Sequence, residues 1–428
     1  MINFPGKNNE YSKMEQAVQR WTALYRGGSE QGKPSLNLAA AIAGEISRTV
    51  TIEMRSAVSG SARADAINAV YQKVIAQIRN YTELACALGG IVFKPCVTQN
   101  GIAVTAVRAD AFCPIQFDGN NNITGAVFEE KFRNDKKIYT RCEKHFFENG
   151  RYIIENSAYE SRSELEHGKR IPMSEVELWR GISEKVTIDG ITKPLFAYFK
   201  MPTSNTIDFN SPLGVSVFAS AENLIMDADK QYERILWEFE SGERALYVDE
   251  SAIRRDANGH HILPDKRLYR MLNTGEDALF EDWSPQFRDT SLINGLNRIF
   301  QRIEFNTGLA YGTISDPQGV DKTAEEIRSS KQRSYANVTD IQTALKKALG
   351  DLAECIDVLS DLYGLSPKGD YNISFDFDDS IISDRRAEFD EKMKLMQSGV
   401  LKPYEVRAWY LGEDEEKSKR ILGGKENE

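Results

Sequence analysis

The sequence predicts a mixed α+β protein in which helices and strands occupy separate blocks of the chain. Three observations support this class. Apolar residues recur every three to four positions through the first ninety residues, as they do in amphipathic helices. Short runs rich in β-branched and aromatic residues, joined by turn dipeptides, fill residues 91–201. Helical periodicity returns after Pro212 and dominates the rest of the chain.

The N-terminal block predicts three helices. An apolar stripe runs through residues 11–25 and stops at Gly27-Gly28. A second helix is predicted over roughly 36–58, and a third over roughly 64–88 that is stopped by Gly89-Gly90. Glycine commonly ends a helix because it adopts the left-handed backbone conformation without steric cost.

The β-rich block predicts an antiparallel meander. The dipeptides Asn100-Gly101, Asn149-Gly150 and Asp189-Gly190 each separate two strand-like runs. They are strong hairpin signals, because a type I′ turn needs positive φ at both central residues. We therefore predict consecutive strands joined by tight turns.

Two long amphipathic helices flank a small β-rich excursion. They are predicted over 213–241 and 291–307, with Gly308 ending the second. Residues 244–288 between them form short strand-like runs, with a further hairpin signal at Asn258-Gly259. Two such helices cannot bury both apolar stripes alone. The residues leave open whether the stripes pack on the rest of the chain or on neighbouring copies.

The longest predicted helix follows a loop over 310–321. It begins at a capping box, Thr323-Ala-Glu-Glu326, and continues to about Leu362. A helix of roughly 40 residues is about 60 Å long. Its first half is polar, whereas its second half is apolar on one side. A strand over 371–377 and two or three short helices complete the predicted elements.

Composition excludes several classes of protein. The 428 residues include 54 Lys and Arg against 64 Asp and Glu, so the formal net charge is −10. A broad basic face that coats nucleic acid is therefore not expected, although a local basic patch is compatible with this balance.

The cysteines and the apolar segments indicate an intracellular protein. The five cysteines contain no CxxC pair, so neither a disulfide scaffold nor a structural zinc site is expected, and a reducing cytoplasm suits them. No segment approaches the roughly 20 apolar residues of a membrane helix. The polar N-terminus lacks the apolar centre of a signal peptide. We expect a soluble protein that stays inside the cell.

Catalytic and metal-binding patterns are weak. Adjacent His260 and His261 on a strand point to opposite faces, so we interpret them as polar hairpin residues. Asp376, Asp378, Asp379 and Asp384 lack the glycine and the distal Glu of an EF-hand loop, and a strand end leading into a helix N-terminus explains them better. No GxGxxG, GxxxxGK[ST], HExxH or GxSxG motif occurs. We predict no catalytic, cofactor-binding or metal-binding residue; a hydrolase with a dispersed site is the weaker alternative.

Several segments resemble portal proteins of tailed double-stranded DNA bacteriophages, of the type found in phages and prophages of Gram-positive hosts. Residues 210–218, NSPLGVSVF, and the helix after them resemble the P-x-G-x-S start of a long helix in that family. Residues 319–327, GVDKTAEEI, resemble its K-T-A-T-E signature, with Glu325 in place of the second Thr. Residues 377–386 and 396–399 resemble its C-terminal part. In the order of elements, the resemblance covers about residues 10–420.

The resemblance implies a portal-type fold with an α/β wing, a two-helix stem, a small β-rich clip, a long tunnel helix and a short helical crown. The implied regions are the wing over 1–213, the first stem helix over 214–243, the clip over 244–288, the second stem helix over 289–308, the tunnel loop over 309–322, the long tunnel helix over 323–365, and the C-terminal wing with a short crown over 366–428.

The resemblance also implies a function without catalysis or cofactors. Portal subunits form a ring, usually of twelve, at one capsid vertex, through which double-stranded DNA is packaged and later ejected. The implied partners are further copies of the chain, DNA, the terminase large subunit, head-completion or adaptor proteins, the scaffold and the major capsid protein, with no membrane. The ring would be assembled in the host bacterial cytoplasm and reside in the virion. The alternative within phages is a head-assembly protein without a DNA channel.

An acidic chain suits a channel in which DNA must slide, because a basic lining would hold phosphates through counterion release. A few spaced cations are compatible with sliding. The candidates for contact with DNA are Lys322, Arg328, Lys331 and Arg333 around the loop, Lys230, Arg234, Arg298 and Arg302 on the stem, and Tyr311 in the loop. Each cation is alternatively a solvated or intersubunit charge, and Tyr311 alternatively packs on a neighbouring loop. Gly308, Gly312 and Gly319 are expected to let the loop move.

Overall fold

The structure is a computed structural model. It describes residues 13–28, 34–163, 166–243, 245–249, 269–272, 280–283, 286–317, 324–377, 385–411 and 413–423, together with Arg254, Asn258 and His260. The chain divides into two units, one of residues 1–51 and 57–373 and the other of residues 52–56 and 374–428.

Ten α-helices and fourteen strands lie in the described residues. The helices are α1 Lys13–Tyr25, α2 Leu38–Thr51, α3 Ala62–Ile75, α4 Ile78–Leu88, α5 Glu222–Ser241, α6 Asp289–Thr307, α7 Ala324–Leu362, α8 Arg385–Gln397, α9 Pro403–Leu411 and α10 Glu415–Gly423. The strands are β1 Arg55–Ser59, β2 Gly90–Thr98, β3 Gly101–Arg108, β4 Phe112–Phe117, β5 Ile123–Asn134, β6 Lys137–Glu148, β7 Arg151–Ser161, β8 Lys169–Ile171, β9 Lys185–Ile188, β10 Ala197–Lys200, β11 Ala245–Asp249, β12 Tyr269–Leu272, β13 Phe280–Trp283 and β14 Asn372–Asp376.

The N-terminal helices differ from the predicted ones in two places. The helix predicted over 36–58 ends at Thr51, and Glu53 adopts a φ of 51°, which interrupts helical geometry before β1 begins. The helix predicted over 64–88 is two helices, α3 and α4, which break at Ala76 and Gln77. The predicted stop at Gly89 is confirmed, since this residue is left-handed with a φ of 87°.

The antiparallel meander is confirmed, although the strands form two sheets. One sheet has the order β10-β2-β3, and the other has the order β4-β5-β6-β7-β8 with β9 paired to β7. The hairpin at Asn149-Gly150 is confirmed with positive φ at both residues, 51° and 76°. The hairpin at Asn100-Gly101 is also present, but its turn lies one residue earlier: Gly101 (φ 102°) pairs with Thr98, and Asn100 does not have a positive φ. The hairpin predicted at Asp189-Gly190 is wrong, because β9 before it pairs with β7 whereas β10 after it pairs with β2.

Helix α7 is the predicted long helix. Its 39 residues give a length of about 58 Å. Its second half is packed inside the first unit against β2 and β10, where Ile341, Leu345, Leu349 and Leu352 are at most 1% exposed. Its first half is mostly solvent-exposed, which agrees with its polar sequence. The predicted capping residue Thr323 lies outside the described residues.

Strands β11, β12 and β13 form the small β-rich excursion between α5 and α6. The sheet order is β12-β11-β13, with β12 parallel and β13 antiparallel to β11. The predicted turn at Asn258-Gly259 and the His260-His261 pair fall where the structure describes only Asn258 and His260.

The second unit contains the C-terminal helices. Phe389 of α8 packs against Tyr410 of α9 with ring centroids 5.3 Å apart, and the Lys392 ammonium lies 4.9 Å from the centroid of the Trp409 ring. In the predicted aspartate cluster, Asp376 is an exposed residue at the end of β14, whereas Asp378, Asp379 and Asp384 lie outside the described residues. No helix in the described part of the chain is long and apolar enough to cross a bilayer.

Candidate functional site: the α5–α6 hairpin and the loop after it

Helices α5 and α6 form an antiparallel hairpin. At one end, the Ser220 hydroxyl donates to the Asn306 carbonyl (2.9 Å) and the Asn306 amide donates to the Ser220 carbonyl (3.1 Å). In the middle, the Gln231 amide lies 3.5 Å from the Leu292 carbonyl oxygen. As residue numbers rise along α5, their partners on α6 fall, so the two helices run in opposite directions.

The other end of the hairpin is closed by Glu238 and Arg288. The Arg288 guanidinium donates to both carboxylate oxygens of Glu238, at 3.1 and 2.6 Å, and the Arg288 backbone amide donates at 3.2 Å. The hydrogen bonds from Arg288 hold the pKa of the Glu238 carboxyl below its ordinary value. A bidentate pair of this kind fixes orientation as well as distance.

The hairpin leaves large apolar side chains in solvent. Ile225, Ala228, Ile235, Leu296 and Ile303 are buried. The exposed apolar set consists of Met226 (38%), Trp237 (61%), Phe239 (43%), Phe287 (45%), Ile293 (50%) and Phe305 (57%). The stripes seen in the sequence are therefore only partly covered by the chain itself.

Gly308 ends α6 in the left-handed conformation, with a φ of 73°. The Leu309 amide then donates to the Glu304 carbonyl at 3.0 Å, a common way to close a helix C-terminus. A Cβ at Gly308 would lie 3.0 Å from the Asn337 side-chain nitrogen of α7. This glycine is therefore required by the turn and by the close approach of α7.

Glu304 anchors the start of the loop and was missed by the sequence analysis. Its side chain is on α6 in a residue only 1% exposed, and it accepts hydrogen bonds from the Ile314 amide (2.8 Å), the Ser315 amide (2.9 Å) and the Ser315 hydroxyl (2.8 Å). A signal was available, because Glu304 follows Phe300 by four residues and so falls on the apolar stripe of the helix. A carboxylate at such a position needs donors from elsewhere in the chain.

Two further contacts fix the loop. Asn297 of α6 accepts from the Asp316 amide at 2.7 Å and donates to the Asp316 carbonyl at 3.3 Å. The Tyr311 amide donates to the Ser330 hydroxyl of α7 at 2.7 Å. Residues 309–317 are thus tied to both neighbouring helices. Gly308 and Gly312 have φ values of 73° and 80°, and Gly319 lies outside the described residues. The expected movement of the loop stays a prediction.

The candidate DNA-contacting residues lie on three helices and the loop. Lys230 and Arg234 are exposed on α5, Arg298 and Arg302 on α6, and Lys331 and Arg333 on α7. The side chain of Tyr311 is half-buried. Arg328 belongs to α7 by its backbone only, and Lys322 lies outside the described residues.

Some of these cations have partners within the chain. The Lys230 ammonium is 3.4 Å from an Asp227 carboxylate oxygen, and both side chains are more than half exposed, so the contact is weak. The Arg298 guanidinium donates to the Gln301 side chain at 3.2 Å. The Arg333 guanidinium lies 4.5 Å from the centroid of the Phe305 ring, which joins α7 to α6 through a cation–π contact.

The model of the family described as "Phage portal protein, SPP1 Gp6-like" matches residues 35–428. The chain belongs to this portal protein family. The match covers the hairpin, the loop and α7, including all nine candidate DNA-contacting residues. The predicted α+β portal fold is therefore confirmed, and the family is one of structural proteins.

A solved structure described as "Neck of native GTA particle computed with C12 symmetry" has 12% sequence identity to this portal chain. The alignment covers 88% of this chain and 91% of that one, with a TM-score of 0.41. No curated protein matches the portal chain in sequence.

Proposed function

We propose that twelve copies of this chain, the number usual in the portal family, form a closed ring at one vertex of a phage capsid. Double-stranded DNA enters the capsid through the central channel during packaging and leaves through it during ejection. Membership of the portal family over residues 35–428 is the observation that carries this proposal. The ring is assembled in the host cytoplasm and stays in the virion.

The α5–α6 hairpin is the stem, and its exposed apolar side chains form contacts between neighbouring subunits. Trp237, Ile293 and Phe305 are each at least half exposed in the isolated chain. Full burial of one large apolar side chain contributes about 1.5–3 kcal/mol. A ring repeats such a contact around its circumference, so a modest contribution from each residue becomes a strong preference for closure.

The exposed cations of α5, α6 and α7 are the sites of DNA contact. Lys230, Arg234, Arg298, Arg302, Lys331 and Arg333 are single charges spread over a chain whose formal net charge is −10. Isolated cations attract phosphates without forming the continuous basic lining that would hold DNA in place. We include Lys322, Arg328 and Tyr311 among these contacts because they belong to the same loop and helix.

The β-rich excursion over 244–288 is the clip, which docks the terminase large subunit during packaging and head-completion or adaptor proteins afterwards. The wing and the short crown face the scaffold and the major capsid protein. The ring itself catalyses no reaction. A separate ATPase supplies the energy for translocation, in agreement with the lack of a GxxxxGK[ST] motif in the sequence.

Negative-stain electron microscopy of the purified full chain, with its mass from light scattering, tests this proposal. We expect rings of about a dozen subunits with an open centre wide enough for a duplex. A chain that stays monomeric even at high concentration would contradict the proposal.

A matched pair of variants tests the role of the stem. Ile293→Asp places a charge in the proposed subunit contact, whereas Leu178→Asp makes the same change at a residue that is 63% exposed in the proposed wing. We expect the first variant to lower the fraction of chain in rings and the second to leave it unchanged. If both variants form rings to the same extent, the α5–α6 hairpin does not form the contact between subunits.

A further inference from the structure

Three side chains with metal-binding atoms meet on one face of the six-stranded sheet of β4 to β9. Glu129 of β5 and Cys142 of β6 are directly opposite each other in the strand register, so their side chains share a face. His167 lies between β7 and β8 and reaches the same place. One ligand atom from each residue, a carboxylate oxygen, the thiol sulfur and an imidazole nitrogen, lies within 4.8 Å of the other two.

Glu129 carries an oxygen that lacks a hydrogen bond. The Glu129 side chain is only 2% exposed. Its Oε1 atom is 2.6 Å from His167 Nε2, whereas its Oε2 atom is buried and has no hydrogen-bond partner. The Lys131 ammonium is 3.9 Å from Oε2, beyond hydrogen-bonding distance. A buried carboxylate oxygen in this state favours a cation that can approach it closely.

We propose that Glu129, Cys142 and His167 bind one divalent transition-metal ion of the zinc class. Thiolate, imidazole and carboxylate are the three protein ligand types of Zn²⁺, with bonds of about 2.3 Å to sulfur and about 2.0–2.2 Å to nitrogen and oxygen. Around a tetrahedral ion, two such ligand atoms are about 3.3–3.7 Å apart. The three atoms, which lie within 4.8 Å of one another, reach that spacing when their mutual distances shorten by up to about 1 Å, a change that side-chain rotation can supply. Water takes the fourth tetrahedral position.

Charge and surroundings favour this ion. A carboxylate and a thiolate together balance the charge of a dication, so the ion and its three protein ligands carry no net charge. The nearby Lys131 side chain is 34% exposed, so solvent screens its ammonium. Cys142 is only 3% exposed, and the Tyr159 ring lies against the His167 ring with centroids 5.4 Å apart. The aromatic contact limits the rotation of the imidazole, which keeps it directed at the other two ligands.

The ion holds three parts of the sheet together. It joins neighbouring strands β5 and β6 to the connection between β7 and β8. Binding only to the folded chain stabilises that fold by mass action. This role is independent of ring formation, so the site and the proposed function can fail or succeed separately.

Titration of the purified full chain with Co²⁺, followed by displacement with Zn²⁺, tests the site. We expect one Co²⁺ per chain, with the visible absorption of a tetrahedral ion and a thiolate-to-cobalt charge-transfer band. Zn²⁺ is expected to remove both signals and to raise Tm. Equilibrium dialysis against Zn²⁺ gives the number of ions bound.

Two variants and one control identify the ligands. Cys142→Ser is expected to abolish the charge-transfer band. His167→Asn is expected to weaken Co²⁺ binding by at least about tenfold, because loss of a group that only orients a ligand already costs about 10–100-fold. Cys113→Ser is the control, because Cys113 is a buried thiol in the same apolar cluster but is not among the three ligands. If Cys142→Ser fails to fold, His167→Asn still decides the question, since that residue is outside the strands. Absence of Co²⁺ and Zn²⁺ binding at micromolar metal, or equal binding by the control and both variants, would overturn the proposal.

Discussion

Glu304 and Ser315 are joined by two hydrogen bonds, one from the Ser315 amide (2.9 Å) and one from its hydroxyl (2.8 Å). The same carboxylate accepts from the Ile314 amide. One buried side chain of α6 therefore sets the path of the loop that leads towards α7. In the proposed ring, this loop borders the channel. Its hydrogen bonds to Glu304 therefore determine whether this part of the channel wall is rigid or mobile.

Glu304→Gln tests that anchoring. The variant replaces one acceptor oxygen with an NH₂ group, which cannot accept from the donors of Ile314 and Ser315. Since hydrogen bonds to a buried charged group are worth about 1.5–3 kcal/mol each, we expect a loss of about 1–3 kcal/mol in the free energy of unfolding after partial rearrangement. Amide hydrogen exchange at residues 314 and 315 should also become faster.

The control for this variant is Arg302→Gln, a charge-removing change at an exposed position of the same helix. Surface substitutions of this type usually alter stability by less than about 0.5 kcal/mol. If Glu304→Gln leaves the exchange of the Ile314 and Ser315 amides at the rate of the control, the carboxylate does not hold the loop.

Two glycines predict opposite effects of alanine. Gly308 has a φ of 73°, and a Cβ there would lie 3.0 Å from the Asn337 side chain, so Gly308→Ala should destabilise the fold by about 1–2 kcal/mol. Gly350 lies within α7 with open space around it, so Gly350→Ala should stabilise the fold by about 0.5–1 kcal/mol. Urea denaturation of the two variants measures both effects. Changes of the same sign would mean that backbone conformation does not govern these positions.

A buried network predicts that the first unit is weakened by acid. Burial alone raises the pKa of the Glu143 carboxyl, but the hydrogen bond with His145 and the charges of Lys94 and Arg141 outweigh it and hold the pKa well below its ordinary range. Burial is also the main cause that lowers the pKa of His145, against the opposing effect of Glu143. His145 Nδ1 lies 2.8 Å from the Tyr152 hydroxyl, which is consistent with a neutral imidazole that accepts from Tyr152 and donates through Nε2 to Glu143.

The lowered pKa values of Glu143 and His145 mean that acid destabilises the folded chain. Both groups have lower pKa values in the folded chain than in the unfolded chain, so unfolding takes up protons. Their contribution to stability is complete above the unfolded pKa values, about 6.5 for His and about 4.3 for Glu. It is lost as the pH falls, first through the histidine range and then through the carboxyl range. We expect the urea concentration at half unfolding to decrease when the pH is lowered from about 7.5 to about 5.5. These two values lie about one pH unit above and below the unfolded histidine pKa.

His145→Gln should reduce the change of the urea midpoint with pH, whatever its effect on stability at neutral pH. His260→Gln is the control, since His260 is an exposed histidine outside this network. A slope that is the same in His145→Gln as in the unaltered chain would place the acid sensitivity elsewhere.

The sequence predicted best those features that depend on neighbouring residues. The hairpins at Asn100-Gly101 and Asn149-Gly150 were found because their backbone geometry is local. Strand β1 was missed because it is stabilised by distant residues: the Ser56 hydroxyl donates to the Ser374 carbonyl, 318 positions away. A helical pattern that continues past residue 51 carries no sign of such a partner.

The candidate sites also include some features that depend on neighbouring residues and others that depend on distant ones. That cations on α5, α6 and α7 are exposed follows from helical periodicity, so the sequence could place them on the surface. The anchoring role of Glu304 depends on donors supplied by a later loop. The Glu129, Cys142 and His167 cluster depends on strand register and on a connection between two later strands, and its spacing matches no metal-binding motif. Neither arrangement is visible before the chain is folded.

Salt dependence tests the proposed DNA contacts. Each phosphate that a cation neutralises contributes about 0.9 to the slope of log K against log salt concentration. Arg298→Gln and Arg302→Gln remove two exposed charges from α6, and we expect the double variant to lower the slope for duplex DNA by up to about 1.8 per subunit that contacts DNA at both positions. Fluorescence anisotropy with a labelled duplex, across a range of salt concentrations, measures this slope on assembled rings.

The control is Arg180→Gln, which removes the charge of an exposed residue in the proposed wing and should leave the slope unaltered. If the double variant and the control have the same slope, DNA does not pass close to this face of α6, and the remaining cations on α5 and α7 become the sites to vary next.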